Sequence, residues 1–484
     1  MKAALVLALA AAVAADKVAV RLARFFEAST ESVSTTQVLV KFNVDIAAIE
    51  KGAASAAQPT QYVYDALKKA SDENLKTLGG IIDTKDVEAI WIAGGFVIPK
   101  ATKQIVDKLS SSSAITYLDL NAKDFSKPDV FKKDKESTRE AAKNEWGVNT
   151  VGAPDIWKYY NGSGAVVGSI DTGALSTHEA IKDNYRSALG WFDPYNGTSA
   201  AYDSDGHGSH TIGTMAGVNG IGVAPGAKWI SCLGLYKGSG DSVNLLKCAQ
   251  FILCPTKPDG SGADCSKAPH VVNNSWGSTA GYNPWMEDAV AAWKAAGIIP
   301  VFTNGNSGPA CGTVGNPGGY SSVIGVGAVG SYDDEPNLLA FFSSKGPQTK
   351  NGPAYVKPDI SAPGFFTRSV AITSNTDYTE LAGTSMAAPH VAGVVALIKS
   401  VDPTLSYDKV YKYLTGTTDQ APLNTTEPTT WYYGAYRNKT YPGAPNCGDV
   451  KDTAWPNNRF GYGRVNVGTI LRDGTLHDSR RSSC

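Results

Sequence analysis

The chain has almost no net charge, no cysteine before residue 232, and no long apolar stretch beyond its first residues. Across 484 residues, 44 Lys plus Arg against 45 Asp plus Glu leave a net charge of −1. So even a balance supplies no field to draw the chain onto nucleic acid or an anionic bilayer, and neither partner is expected. Past the N-terminal dozen residues, no run reaches the ~20 apolar residues of a membrane-spanning helix without meeting Gly, Pro or charge. There is no C-x-x-C pair and no nearby His ladder, which argues against zinc. No internal repeat or low-complexity tract stands out. What is present suits a globular chain: 42% hydrophobic residues are ample for a core, while Gly 50 and Pro 25 mark many loops. The length suits a large unit plus a smaller one.

The N-terminus reads Met1-Lys2, then an apolar run from Ala3 to Val13 closing on Ala14-Ala15 before Asp16-Lys17. This is the pattern of a signal peptide over residues 1–15, too short for an anchor, so an exported, soluble, extracellular protein is expected. In an oxidising compartment disulfides are the default for Cys232, Cys248, Cys254, Cys265, Cys311, Cys447 and Cys484. Cys254 and Cys265 bracket a Gly/Pro/Asp-rich excursion and are expected to pair; Cys232 with Cys248 is a second candidate, and Cys484 is left over. Sequons begin at Asn161, Asn196, Asn273, Asn424 and Asn438, so a glycoprotein is expected where the host glycosylates its exports.

Residues 16–123 read as a small split-βαβ unit. Thr36 to Phe42 is strand-like, and Gln61 to Leu78 is an amphipathic helix facing inward through Tyr62, Ala66, Leu67, Ala70 and Leu75. Ile81 to Ile92 alternates loosely as a strand, Gly94-Gly95 turns, and Phe96 to Ile98 resumes. Pro99 to Leu109 reads as a helix opening on proline, and Ala114 to Leu118 as a last strand. Residues 124–144, dense in charge around Lys132-Lys133-Asp134-Lys135-Glu136, read as a linker, with a solvated helix as the alternative for part of it. From Ala165 the pattern becomes continuous short apolar runs between helical stretches: Val166 to Ile170, Trp229 to Leu235, Val271-Val272, Ile298 to Phe302 and Val323 to Val329. Continuous hydrophobicity suits strands buried on both faces, hence a parallel α/β sheet whose chemistry clusters at its carboxyl edge.

Three segments carry candidate chemistry. Ser169-Ile170-Asp171-Thr172-Gly173 ends a strand on a carboxylate, although Asp before Gly is also ordinary turn chemistry. Asp205-Gly206-His207-Gly208-Ser209-His210 sets a histidine between glycines, though two histidines three apart also fit a metal pair. Gly383-Thr384-Ser385 opens a helix of small and apolar residues, where a serine is commonly only an N-cap. Together they change the reading. A serine alcohol needs a base, the base needs an orienting group, and Asp, His, Ser is one of the known chain orders of such a triad.

The segments S-I-D-T-G, H-G-S-H and G-T-S-M-A-A-P-H resemble the three signatures of the subtilisin-like serine proteases, the subtilases, over about Gly147 to Ile470. Ile221 to Ile230, Val271 to Gly277 and Ile360 to Gly364 resemble the bacillopeptidase F branch. The resemblance implies a three-layer α/β fold with a mostly parallel central sheet over residues 145–484, preceded by an α+β, ferredoxin-like propeptide that assists folding and inhibits. It assigns Ser385 as nucleophile, His207 as base and Asp171 as its orienting carboxylate, and makes His210 non-catalytic. Ser209 departs from the family's usual Thr but keeps the hydroxyl. Thr303-Asn304-Gly305-Asn306-Ser307-Gly308 resembles the family's G-N-x-G segment, making Asn306 the expected oxyanion donor and Asn304 the alternative. Ser275-Trp276-Gly277 resembles a strand that pairs with extended substrate, so broad specificity is expected and Asn273 is a poor glycan site. Gly238-Ser239-Gly240 is expected opposite it.

The implied protein is a secreted endopeptidase acting on proteins and peptides, a self-processing zymogen cut within 124–144, and a monomer. No cofactor is expected to be required; scattered acids without EF-hand spacing assign no ligands to a structural calcium and no metal site. Two other classes fit the sequence less well. An inactive scaffold of the same fold would have lost a triad residue, and none is lost. A secreted esterase would carry a G-x-S-x-G elbow and the order Ser, Asp, His, and has neither here.

Overall fold

The computed structural model describes residues 17–28, 34–132, 143–279, 283–332, 335–349, 352–433 and 439–477. The expected leader, most of the charged stretch after residue 132, Asn438 and Cys484 lie outside the described residues.

Up to residue 120 the chain forms α1 (Val20–Ala28), β1 (Thr35–Phe42), α2 (Ile46–Ala53), α3 (Pro59–Gly79), β2 (Glu88–Ile90), β3 (Gly95–Thr102), α4 (Lys103–Ser110) and β4 (Ile115–Leu120). The sheet order is β2-β3-β1-β4, antiparallel throughout. The β-α-β-β-α-β order is present, with α1 and α2 added.

Three local expectations need correction. In α3 the buried stripe is Val63, Leu67, Ser71 and Leu78, while Tyr62 faces outward, because Val63 and Leu67 pack with α2, Trp91 and the helix Pro284–Ala295 of the larger unit, whose position the helix's own hydropathy does not record. Ile81 and Ile82 do not begin a strand: both amides bond back to the Leu78 carbonyl and close the helix, and Trp91–Ala93 is a 3₁₀ turn. Pro99 lies in β3 rather than at a helix start. Thr36 pairs Ala101 and Val38 pairs Ile98, so Pro99 and Lys100 oppose Gln37 in a bulge that asks no amide of the proline. Helix α4 instead begins after Thr102, whose Oγ1 accepts from the Ile105 amide at 3.3 Å.

Period-two alternation along β1 divides its side chains between two cores. Val38, Val40 and Phe42 pack with Leu22, Val106 and Leu109 from α1 and α4. Leu39 faces the other way, into a cluster that runs on through Val63, Leu67 and Trp91 to Leu246, Trp285 and Met286 of the larger unit.

The larger unit follows β5 (Phe125–Ser126) and β6 (Phe131–Lys132) and contains β7 (Val166–Asp171), β8 (Trp191–Phe192), α5 (His207–Ala216), β9 (Lys228–Leu233), β10 (Ser239–Gly240), α6 (Ser242–Leu253), β11 (Val271–Asn274), α7 (Pro284–Ala295), β12 (Ile299–Thr303), β13 (Ile324–Val329), β14 (Ile360–Pro363), β15 (Thr367–Val370), β16 (Tyr378–Ala382) and α8 (Thr384–Val401). Seven strands in the order β14-β13-β12-β11-β7-β9-β8 form one parallel sheet. Helices α6 and α7 cover one face over Ile170, Ile230, Val272 and Phe302. Helices α5 and α8 cover the other over Val167, Val271 and Val301, completing three layers. Both faces being covered is why every residue of β13 is buried and why these strands read as unbroken apolar runs. Helix α8 is long and apolar enough to cross a membrane, but Thr384 to Lys399 are all buried, as in a core helix.

Cys254 pairs Cys265 and Cys232 pairs Cys248, the second bond tying β9 to α6. A third pair, Cys311 with Cys447, joins residues 136 apart, a partnership that sequence spacing left open.

Candidate active site

The carboxyl edge of the sheet collects the three candidate segments. Asp171 is the last residue of β7, His207 the first of α5, and Ser385 the second of α8. His207 Nδ1 lies 2.8 Å from Asp171 Oδ1, which also accepts the Thr172 amide at 2.7 Å. All three side chains are buried. With a carboxylate at Nδ1, the ring holds its proton there and leaves Nε2 as a base. Nε2 has no hydrogen-bond partner among the described residues, and Ser385 Oγ donates to the Ser275 carbonyl at 3.3 Å rather than to His207. The helix N-terminus places its positive end beside Ser385.

Two glycines let the Asp171 and His207 segments meet. Gly173 has φ +109°, and a Cβ there would fall 2.0 Å from the Tyr202 carbonyl oxygen; one on Gly208 would fall 2.2 Å from that of Gly173. Neither position tolerates a side chain without moving backbone. The signatures named both glycines but missed their brace, Asp203. Its Oδ1 accepts from the Asp205 and Gly206 amides and from Thr172 Oγ1, and its Oδ2 from the Ser209 amide and hydroxyl, all within 3.0 Å. Thr172 Oγ1 in turn accepts the Gly208 amide at 2.9 Å. The turn-forming run Asp203-Ser204-Asp205-Gly206 was the available signal. Ser209, the departure from the family's threonine, therefore uses its hydroxyl to hold the turn that carries His207.

Asn306 reaches the same edge. Its Oδ1 accepts from the Thr384 amide at 2.9 Å and hydroxyl at 2.6 Å, so its Nδ2 points into the cleft, where it donates to the Asp129 carbonyl at 2.7 Å. Asn304 is instead buried and donates to the Ser344 carbonyl, which removes it as an alternative donor in this arrangement. Thr384 is a second residue that pattern reading overlooked.

The candidate substrate strands face each other across the cleft, with part of the charged linker between them. Ser239 and Gly240 pair with Ser126 and Phe125. Ser126 and Gly277 exchange both amide bonds at 3.0 Å, and the Lys127 amide donates to the Gly238 carbonyl at 3.1 Å. Trp276 points inward, its Nε1 on the Ile170 carbonyl at 2.9 Å. Beside the cleft, Gly277, Ser278, Thr303, Gly305 and Asn306 line a cavity of about 270 Å³. Residues 125–132 thus run as an extended, paired segment, not as the free spacer that their charge suggested.

His210 stands apart from this chemistry. It is buried with Nε2 on the carbonyls of Thr367 and Thr379 at 3.0 and 3.2 Å, and burial with His207 nearby pushes it down to about 3. It is a neutral cross-link. Asn273 is fully buried, while Asn161, Asn196 and Asn424 are exposed. No group of three or more His, Cys, Asp or Glu is placed to hold a metal among the described residues, and Asp203 spends its oxygens on the chain itself.

Comparison with known proteins agrees with this geometry. The chain is 31% identical over 502 aligned positions to bacillopeptidase F of Bacillus subtilis (strain 168), an alignment covering 94% of the chain but 32% of that protein, so the chain spans about a third of that relative. It is 32% identical over 317 positions to an alkaline protease of Alkalihalobacillus alcalophilus, covering 64% of the chain and 71% of the relative. To subtilisin DY of Bacillus licheniformis it is 36% identical over 265 positions, covering 53% and 85%. The subtilase family profile matches residues 162–463, which takes in Asp171, His207, Asn306 and Ser385 together with all seven strands of the parallel sheet. With the sheet, its covering helices and the match over more than half its length in agreement, the chain belongs to the subtilase family of serine proteases.

Proposed function

We propose that the protein is a secreted serine endopeptidase of broad specificity, made as a self-processing zymogen, with residues 16–123 as its intramolecular inhibitor and folding aid. The observation that carries this reading is the buried His207–Asp171 bond at the sheet edge that also holds Ser385 and Asn306. Ser385 Oγ swings from the Ser275 carbonyl to His207 Nε2, gives up its proton there and attacks the peptide carbonyl. Asn306 Nδ2 and the Ser385 amide stabilise the oxyanion, and His207 returns the proton to the leaving amine. Water then repeats the sequence on the acyl-enzyme. The walls at Ser239-Gly240 and Gly277 bind substrate through its backbone, which supports tolerance of many side chains. Among the described residues, the cavity beside them has glycine, hydroxyl and amide walls, its only charged lining being Asp124, Lys127 and Asp129 of the segment that lies in the cleft.

Ser385→Ala tests the reading. Peptidase activity should fall by about 10⁶-fold, the loss known for a subtilisin's own nucleophile. The variant should persist as an uncut precursor in a protease-deficient host. Retention of activity in Ser385→Ala would refute the triad.

A further inference from the structure

We propose that the peptide bond between Asp129 and Val130 is the bond whose cleavage separates the N-terminal unit from the mature enzyme; this rests on the peptidase reading above. Contacts along the cleft narrow a charged stretch of about twenty residues to one carbonyl. Asp129 O is the backbone oxygen bonded by Asn306 Nδ2, at 2.7 Å. The same amide is anchored through Oδ1 to Thr384, the neighbour of Ser385. The carbonyl is therefore held by the group that stabilises negative charge during attack, one residue from the nucleophile.

The segments on either side agree. Upstream, Phe125 and Ser126 lie between Gly240-Ser239 and Gly277, and Lys127 is fixed on Gly238. Phe125 is buried against Trp276, ring centroids 5.5 Å apart. Downstream, Phe131 and Lys132 pair antiparallel with Ala382 and Leu381 of β16, the strand that leads into Ser385. Phe131 also stacks on Phe342 at 5.4 Å. Val130 lies against the signature itself: a Cβ built on Gly383 would meet its Cγ1 at 3.2 Å. The chain is thus paired before Asp129 and again after Val130, on different walls, and the bond between them lies beside Asn306 and Gly383. Asp129 borders the 270 Å³ cavity, so the residue on the acyl side faces the pocket that would select it.

In the cleavage, Ser385 Oγ bonds to the Asp129 carbonyl carbon while its proton passes to His207 Nε2. The Asp129–Val130 C–N bond breaks as that proton moves to the Val130 nitrogen, which becomes the new N-terminus. Water hydrolyses the ester, leaving Asp129 with a free carboxylate and restoring Ser385.

The test follows the full-length precursor during maturation, stopped at early times, with the released fragment weighed by mass spectrometry and the mature chain sequenced from its N-terminus. The fragment should end at Asp129 and the first mature chain should begin at Val130; later trimming of the mature end leaves the fragment's end unchanged. Val130→Pro, which replaces the leaving nitrogen by a tertiary amide, should lose that fragment, whereas Val130→Ala should keep it. A wild-type fragment ending elsewhere overturns the assigned bond and leaves the peptidase reading intact. A fragment ending at Asp129 in Ser385→Ala would instead overturn self-cleavage, and with it the reading on which the assignment rests.

Discussion

The unit before residue 124 and the one after residue 144 solve the same problem, a sheet with two apolar faces, by different means. The larger unit covers both faces of its parallel sheet with its own helices and adds three disulfides. The smaller one has no cysteine; α1 and α4 close one face of its sheet, while on the other its α2 and α3 share a single cluster with the larger unit. Its other face is completed by α6 and α7 of the larger unit, and Lys41 with Asp288 and Lys247 with Glu88 pin the rim. Rim pairs of this kind contribute little beside the shared apolar core. One unit carries its stability with it, while the other borrows a wall. That asymmetry suits a segment meant to be cut away, because cleavage alone turns an intramolecular contact into one that can dissociate.

Four measurements can break or sharpen the contrast. Trp91 belongs to the smaller unit but lies in the shared cluster, so Trp91→Ala should cost about 3–5 kcal/mol. The loss should appear as weaker binding of the released unit to the mature enzyme; binding as tight as that of the wild-type unit would break the contrast. Asn306→Ala acts in the cleft where both units meet. It should lower kcat by about 10²–10³-fold, the loss established for a subtilisin's own oxyanion donor, with KM little changed. Release of the smaller unit should slow in proportion. Equal slowing of both rates ties maturation to the same site as catalysis on added peptide, and normal maturation would separate them.

Replacing Cys254 and Cys265 by serine should cost the larger unit about 2–4 kcal/mol. Amide exchange in β1 to β4 should be affected only where those strands rest on α6 and α7, which hydrogen-exchange mass spectrometry resolves. The last of the four is acid sensitivity. All six histidines lie after residue 177, and burial holds His210 down to about 3 and His270 and His390 down to about 4. Each is neutral when folded and takes up a proton on unfolding at any pH between its folded value and the ordinary 6.5. Stability should therefore fall as pH drops through that window, by up to about 1.4 kcal/mol per pH unit for each histidine. Denaturant titrations of the mature enzyme at several pH values would show the slope. A His390→Gln variant that still folds should lose its share of it, and an unchanged slope would assign the acid sensitivity to carboxylates.

Much of this protein is local enough to be read from its residues. A strand buried on both faces must be apolar throughout, so the runs at Val166, Trp229, Val271, Ile298 and Val323 announced a parallel sheet and its chemically active edge. The three signatures placed Asp171, His207 and Ser385 because each needs a particular backbone setting, a strand end or a helix start, that its neighbours declare. Cys254 and Cys265 bracket one short loop, and their pairing followed from that. Other features depend on what arrives from elsewhere in the chain. Which face of α3 is buried depends on where α2, Trp91 and α7 sit, not on the helix's own hydropathy. Pro99 could stay in a strand because Gln37, sixty residues away, leaves a bulge opposite it. Cys311 and Cys447 are joined only once the loops that carry them have been folded together. Asp203 caps its own turn at Asp205 and Gly206, but its bond to Thr172, like that of Thr384 to Asn306, has a partner that no spacing rule connects. The charge of residues 124–132 suggested a solvated linker, yet backbone pairing is indifferent to side-chain charge, and two walls that exist only in the folded enzyme turn the segment into a strand with Asp129 on Asn306.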